Sequence, residues 1–182
     1  MSHAIDLLQA DHRQFLRLIE HMEGIMESCL KGDDVDLEVI KDFVKFCSGH
    51  ADEFHHPLED RLFSCLLKRK PSLAMVIRQL EQEHLHLRWA TRELRSMLDA
   101  IGTVDYVRRD RFLEALGEYL ALFYQHIHTE EVRILKDAGK LLGEDDWRLL
   151  DAWLESKPVS AITRRDASEF TRLTSLLEQE PA

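Results

Sequence analysis

The sequence predicts an all-α fold, an antiparallel up-down-up-down four-helix bundle with a short additional C-terminal helix or helices. Seven glycines and four prolines among 182 residues leave long stretches without helix breakers. Apolar residues recur at three- and four-residue spacing through four long segments. The turns between those segments are short, which favours antiparallel neighbours.

The first helix is expected from about Ala4 to about Cys29, with Ile5, Leu8, Phe15, Leu16, Ile19 and Met26 on one face. His12 sits in the middle of that face, whereas His3 and His21 are about half a rotation away and should meet solvent. Lys31-Gly32-Asp33-Asp34 reads as the turn. The second helix spans roughly Val35 to Lys68, its buried stripe running through Val44, Ala51, Leu58, Leu62 and Leu66. His55 and Glu59 interrupt that stripe. Pro57 falls inside the pattern, and a mid-helix proline removes a backbone donor, so a kink or local break is expected there.

Arg69-Lys70-Pro71-Ser72 closes the second helix and opens the third, with proline near a start where it is tolerated. Leu73, Ile77, Leu80, Leu87, Leu94 and Leu98 line the third helix around His84. Gly102-Thr103 should end it, and Asp105 is placed to cap the fourth. The fourth helix runs to about Leu142 before Gly143, with Phe112, Leu116, Tyr119, Phe123, Ile134, Ala138 and Leu141 sharing a face with His126 and Glu130. Glu144 to Leu154 reads as a short amphipathic helix carrying Trp147, Leu150 and Trp153. Asp166 to Leu177 can form a last one. On this reading residues 1–155 make the bundle and 156–182 a tail that docks on its own bundle, on a partner, or not at all.

Composition narrows the function classes. A net charge of −10 argues against a nucleic-acid or anionic-membrane surface, both of which need basic patches. No apolar run reaches the roughly 18 residues of a membrane-spanning helix, and the N-terminus lacks a signal-peptide pattern. Cys29, Cys47 and Cys65 are odd in number and widely spaced, as expected for reduced thiols in a cytoplasmic protein.

The chemistry lies in two segments, His55-His56-Pro57-Leu58-Glu59 and His126-Ile127-His128-Thr129-Glu130. Each pairs a histidine with a glutamate one helical turn later, so imidazole and carboxylate point the same way. His12 precedes the first pair by nearly the interval that separates His84 from the second. Placing His12, His55, Glu59, His84, His126 and Glu130 among leucines and phenylalanines is costly unless something compensates the polar groups. A metal does so. Four imidazoles and two carboxylates exceed what one tetrahedral zinc needs. They suit two first-row ions with bridging glutamates and two terminal histidines each, and this donor set favours iron, with manganese or zinc as alternatives. An oxo, hydroxo or diatomic ligand would take the remaining positions. His50, His56, His86 and His128 fall off the apolar faces and read as solvent-facing, His56 being the readiest exception. Tyr119 reads as ordinary core or as a group near the metal, since this face is buried in either case. Arg88 reads as a surface residue or a partner of Glu131 or Glu59.

From about Ile5 to Leu154 the chain resembles the hemerythrin-like, or HHE cation-binding, family. The resemblance is carried by Leu8-x-x-Asp11-His12, His55-His56-x-x-Glu59-Asp60-x-Leu62-Phe63, Glu83-His84 and His126-x-x-x-Glu130-Glu131. It implies a four-helix bundle holding a non-haem di-iron centre that reacts with dioxygen or related small molecules. In the oxygen-carrying branch the third helix has a second histidine where Arg88 stands, and the fourth has an aspartate at the spacing of Glu131. With four histidines and two glutamates, the chain is more similar to the branch linked to nitric-oxide stress, iron-centre repair or iron and oxygen sensing. The expectation is therefore a binder of dioxygen or nitric oxide in oxygen, redox or nitrosative-stress response or sensing. The alternative is an iron-handling or redox catalyst serving iron-centre repair, iron donation or storage, or peroxide removal. A homodimer is compatible with either.

Overall fold

The computed structural model describes residues 3–100, 109–157 and 170–178. Among them the chain is an all-α helical bundle without strands. Its elements are α1 (His3–Lys31), α2 (Leu37–Phe46), a π-helical stretch (Cys47–His55), α3 (His56–Arg69), a 3-10 turn (Pro71–Leu73), α4 (Ala74–Ala100), α5 (Arg109–Glu130), a second π-helical stretch (Glu131–Leu135), α6 (Lys136–Leu141), α7 (Glu144–Glu155) and α8 (Thr171–Glu178). The predicted second helix is thus α2, the first π stretch and α3 in one continuous helical path. The predicted fourth is α5, the second π stretch and α6. The expected stop at Gly102-Thr103, the cap at Asp105 and the start of the last helix at Asp166 lie outside the described residues.

Local chemistry sets the helix ends. Gly32 takes a positive φ of 88°, which an L side chain resists. The N–H groups of Gly32 and Asp33 bond back to the carbonyls of Cys29 and Ser28, closing α1 in a Schellman turn. Asp36 caps α2, its carboxylate accepting from the Glu38 N–H at 3.0 Å, in the usual N-cap role. At the head of α7 the Asp146 carboxylate accepts from the Gly143 N–H at 3.0 Å and from Arg69 Nε at 2.8 Å. Arg69 thereby ties α7 to the end of α3.

The apolar core is in two parts. One gathers Phe15, Met22, Phe43, Leu94, Leu116 and Phe123 with Phe170 and Leu173, so α8 docks on its own bundle against α1 and α2. The other gathers Leu8, Phe54, Leu58, Phe63, Leu80 and Ile134 with Leu150 and Leu154 of α7. Trp147 and Trp153 pack half-buried against this second part. In every long helical path polar side chains lie where the two parts meet: His12, His55, His56 and Glu59, His84, and His126 and Glu130. No helix among the described residues is long and apolar enough to cross a membrane.

Candidate metal centre

The predicted histidines and glutamates arrive from four helical paths. His12 lies on α1, His55 ends the first π stretch, Glu59 lies in the first turn of α3, His84 lies on α4, and His126 and Glu130 lie at the end of α5. All six are buried. Both π stretches abut this cluster, one ending at His55 and the other beginning at Glu131. π turns recur at functional sites because their wider i→i+5 turns re-aim side chains relative to an α-helix.

The cluster divides into two groups of donors joined by the glutamates. Glu59 Oε1 is 3.0 Å from His12 Nε2 and 3.1 Å from His55 Nε2. Its other oxygen, Oε2, is 3.4 Å from His84 Nε2. Glu130 does the same in reverse, with Oε2 at 3.3 Å from His12 Nε2 and Oε1 at 3.4 Å from His126 Nε2 and 3.6 Å from His84 Nε2. Two sets could each hold an ion, His12, His55 and Glu59 on one side and His56, Glu59, His84 and His126 on the other, the donors in each lying within 4.8 Å of one another.

His56 is the residue that sequence reasoning put elsewhere. Periodicity places it and His50 off the apolar face, yet both are buried. The reason is the π stretch Cys47–His55, whose wider turns shift the helical phase on which that reading rested. His56 stacks on His84 with ring centroids 4.3 Å apart and planes at 17°, bringing the imidazoles around the glutamates to five. His50 lies sandwiched between the rings of Phe46 and Phe54, with Nε2 3.0 Å from Asp11 Oδ2. A histidine directly before proline at a helix junction was the available clue. His86 and His128 are exposed, as expected. Tyr119 is core, in contact with the Phe43 and Phe123 rings.

A ring of acidic side chains orients four of the imidazoles. Each donates from Nδ1 to a carboxylate: His12 to Glu131 at 2.8 Å, His55 to Asp11 at 3.1 Å, His84 to Asp60 at 2.9 Å and His126 to Glu83 at 2.9 Å. Those bonds orient the rings and turn each Nε2 towards the glutamates, the arrangement that outer carboxylates impose on metal-binding histidines. Glu131 therefore serves His12 from outside, and it is Glu130 that turns inward. Burial opposes protonation of His84, but Asp60, Glu130 and Glu59 raise its pKa to about 12. Burial likewise opposes the charge on His55, and Glu59 and Asp11 raise it to about 9. Burial, reinforced by the charge on His84, drives His56 well below the usual imidazole range, leaving it neutral. Glu59, despite its burial, is held well below the usual carboxylate range by His55, His12 and His84.

His12 Nε2 and Glu59 Oε1 bond to each other at 3.0 Å, but other atoms that face inward lack hydrogen-bond partners. They are both nitrogens of His56, Nε2 of His84 and His126, Oε2 of Glu59 and both oxygens of Glu130. Orphaned buried polar atoms are rare and call for a compensating group. Here they are imidazole nitrogens and carboxylate oxygens converging on one place, a donor set suited to first-row transition ions. The residues fit a metal.

The family model for the hemerythrin HHE cation-binding domain matches residues 3–138. The chain belongs to that family. No curated protein and no solved structure matches it. Among the described residues Arg88 makes no ion pair with Glu131 or Glu59. It is half-buried, and its Nη2 donates to the Asp52 carbonyl at 3.2 Å.

Proposed function

We propose that the chain is a non-haem di-iron protein that binds dioxygen or nitric oxide, acting in oxygen, redox or nitrosative-stress response or sensing. The observation that carries this reading is the way Glu59 and Glu130 each turn one oxygen to either group of imidazoles. Two carboxylates so placed suit a pair of ions better than one. Two iron ions would supply redox-active sites able to take up a diatomic ligand.

The chain's own residues define what such a centre can do. His12 and His55 form the smaller group, with His56, His84 and His126 opposite. An ion on the side with fewer imidazoles would have fewer protein donors and so would keep a position for an external ligand. Phe15 stands edge-on to His55 at 5.0 Å and Phe63 stacks on His84 at 5.9 Å. An apolar shell of this kind limits water access and lowers the local dielectric.

The test is anaerobic loading with ferrous iron, followed by optical spectra on mixing with dioxygen, nitric oxide or peroxide. A stable adduct that reverses on removal of the gas supports the binding reading. Continued consumption of peroxide or dioxygen without an adduct assigns the chain to the redox-catalyst alternative.

A further inference from the structure

The junction between the first π stretch and α3 leaves a backbone carbonyl without its helical donor. The His56 N–H bonds back to the Ala51 carbonyl, the i→i−5 register of a π-helix. Residue 57 should donate next, but it is a proline and has no N–H. The Asp52 carbonyl at this point instead accepts from Arg88 Nη2 at 3.2 Å. Arg88 stands on α4, which packs along this π stretch, one helical turn after His84.

His56 is also the imidazole with the least support from side chains. The other four are each held through Nδ1 by a carboxylate within 3.1 Å. His56 Nδ1 lies 3.5 Å from Asp52 Oδ1 and makes no hydrogen bond. Its direction is set by stacking on His84 and by the backbone turn on which it sits. That turn is the one whose open carbonyl Arg88 closes.

We infer that Arg88 is a positioning residue for the metal centre: by closing the Asp52 carbonyl opposite Pro57, it fixes the turn that carries His56 into the three-imidazole group. Position 88 thus supports a histidine arriving from α3. The inference rests on the metal-centre reading under "Proposed function".

The experiment uses the full chain loaded with cobalt(II), whose visible spectrum reports the number and geometry of its ligands. Metal affinity is read by chelator competition in wild type, Arg88→Ala, His56→Ala and the double variant, with the unfolding midpoint of each metal-free protein recorded. Loss of an outer-shell partner typically weakens metal binding 10- to 100-fold. Arg88→Ala should therefore weaken the second ion about tenfold and move the spectrum towards that of His56→Ala. In the His56→Ala background it should add nothing, because residues acting through one another are not additive. Arg88→Met, which keeps the aliphatic length but has no donor, carries the same comparison if Arg88→Ala does not fold. A wild-type spectrum and affinity in the Arg88 variant overturns the inference, as does a loss that simply adds to that of His56→Ala. Fewer than two ions in wild type overturns the metal-centre reading itself, and this inference with it.

Discussion

Nδ1 of His12 on α1 donates to the Glu131 carboxylate at 2.8 Å, across the bundle and 119 residues along the chain. Glu131 is the first residue of the second π stretch, and Glu130, its neighbour, turns inward to Nε2 of the same ring. One imidazole is thus gripped at both nitrogens by consecutive glutamates, one aligning it from outside and one sharing the interior. Glu131→Ala should keep the fold, because the residue is 35% exposed, and should weaken metal binding about tenfold. Chelator competition measures this, and Glu131→Gln, which keeps an acceptor, should lose less.

His56→Ala should lower metal content. It removes a nitrogen from the larger group of donors, so the expected outcome is one tightly held ion per chain against the two proposed for wild type. Metal analysis after gel filtration checks it. Tyr119→Phe is the matched control, a buried residue in ring contact with Phe43 and Phe123, and should leave metal content unchanged.

Metal binding should release protons and strengthen as pH rises. In the metal-free chain His55 and His84 have pKa values raised to about 9 and about 12, so both are charged at pH 7, whereas a coordinating imidazole must be neutral. Proton uptake by an indicator in weak buffer measures the release. The sign for stability is opposite. A folded-state pKa above the unfolded value of about 6.5 contributes stability that is fully present below pH 6.5. For His55 that contribution is lost as pH rises through about 9. The metal-free protein should therefore melt at lower temperature at pH 9 than at pH 6.5.

Phe15→Ala should destabilise the fold by about 3–5 kcal/mol, the usual loss for a buried phenylalanine. Phe15 is fully buried and touches the rings of Phe46, Phe123 and His55. Urea denaturation of the metal-free chain reads the change. Wild type and variant should each unfold at a higher midpoint when loaded than when free, because a ligand that binds only the native state stabilises it.

The helices, the turn at Gly32 and the six inward residues are legible in the sequence because α-helical periodicity holds through α1, α4 and α5. His12 and His84 sit at the centres of unbroken apolar faces, and both His-x-x-x-Glu pairs span one turn. The reading fails where periodicity does. Across Cys47–His55 the π turns shift the phase, so residues assigned to the surface, His50 and His56, are buried. The outer carboxylates are invisible to periodicity for another reason. Asp11, Asp60, Glu83 and Glu131 each adjoin an inward residue in sequence, yet each serves a histidine on a different helical path. The bond from Arg88 is equally invisible to periodicity, since its partner is a backbone carbonyl freed by a proline on another helical path.

Anomalous scattering from crystals of the full chain, reconstituted anaerobically with ferrous iron, tests the central claim most directly. The account predicts two iron peaks, one beside His12 and His55 and one beside His56, His84 and His126, with Glu59 and Glu130 reaching both. A single peak, or none, would contradict it.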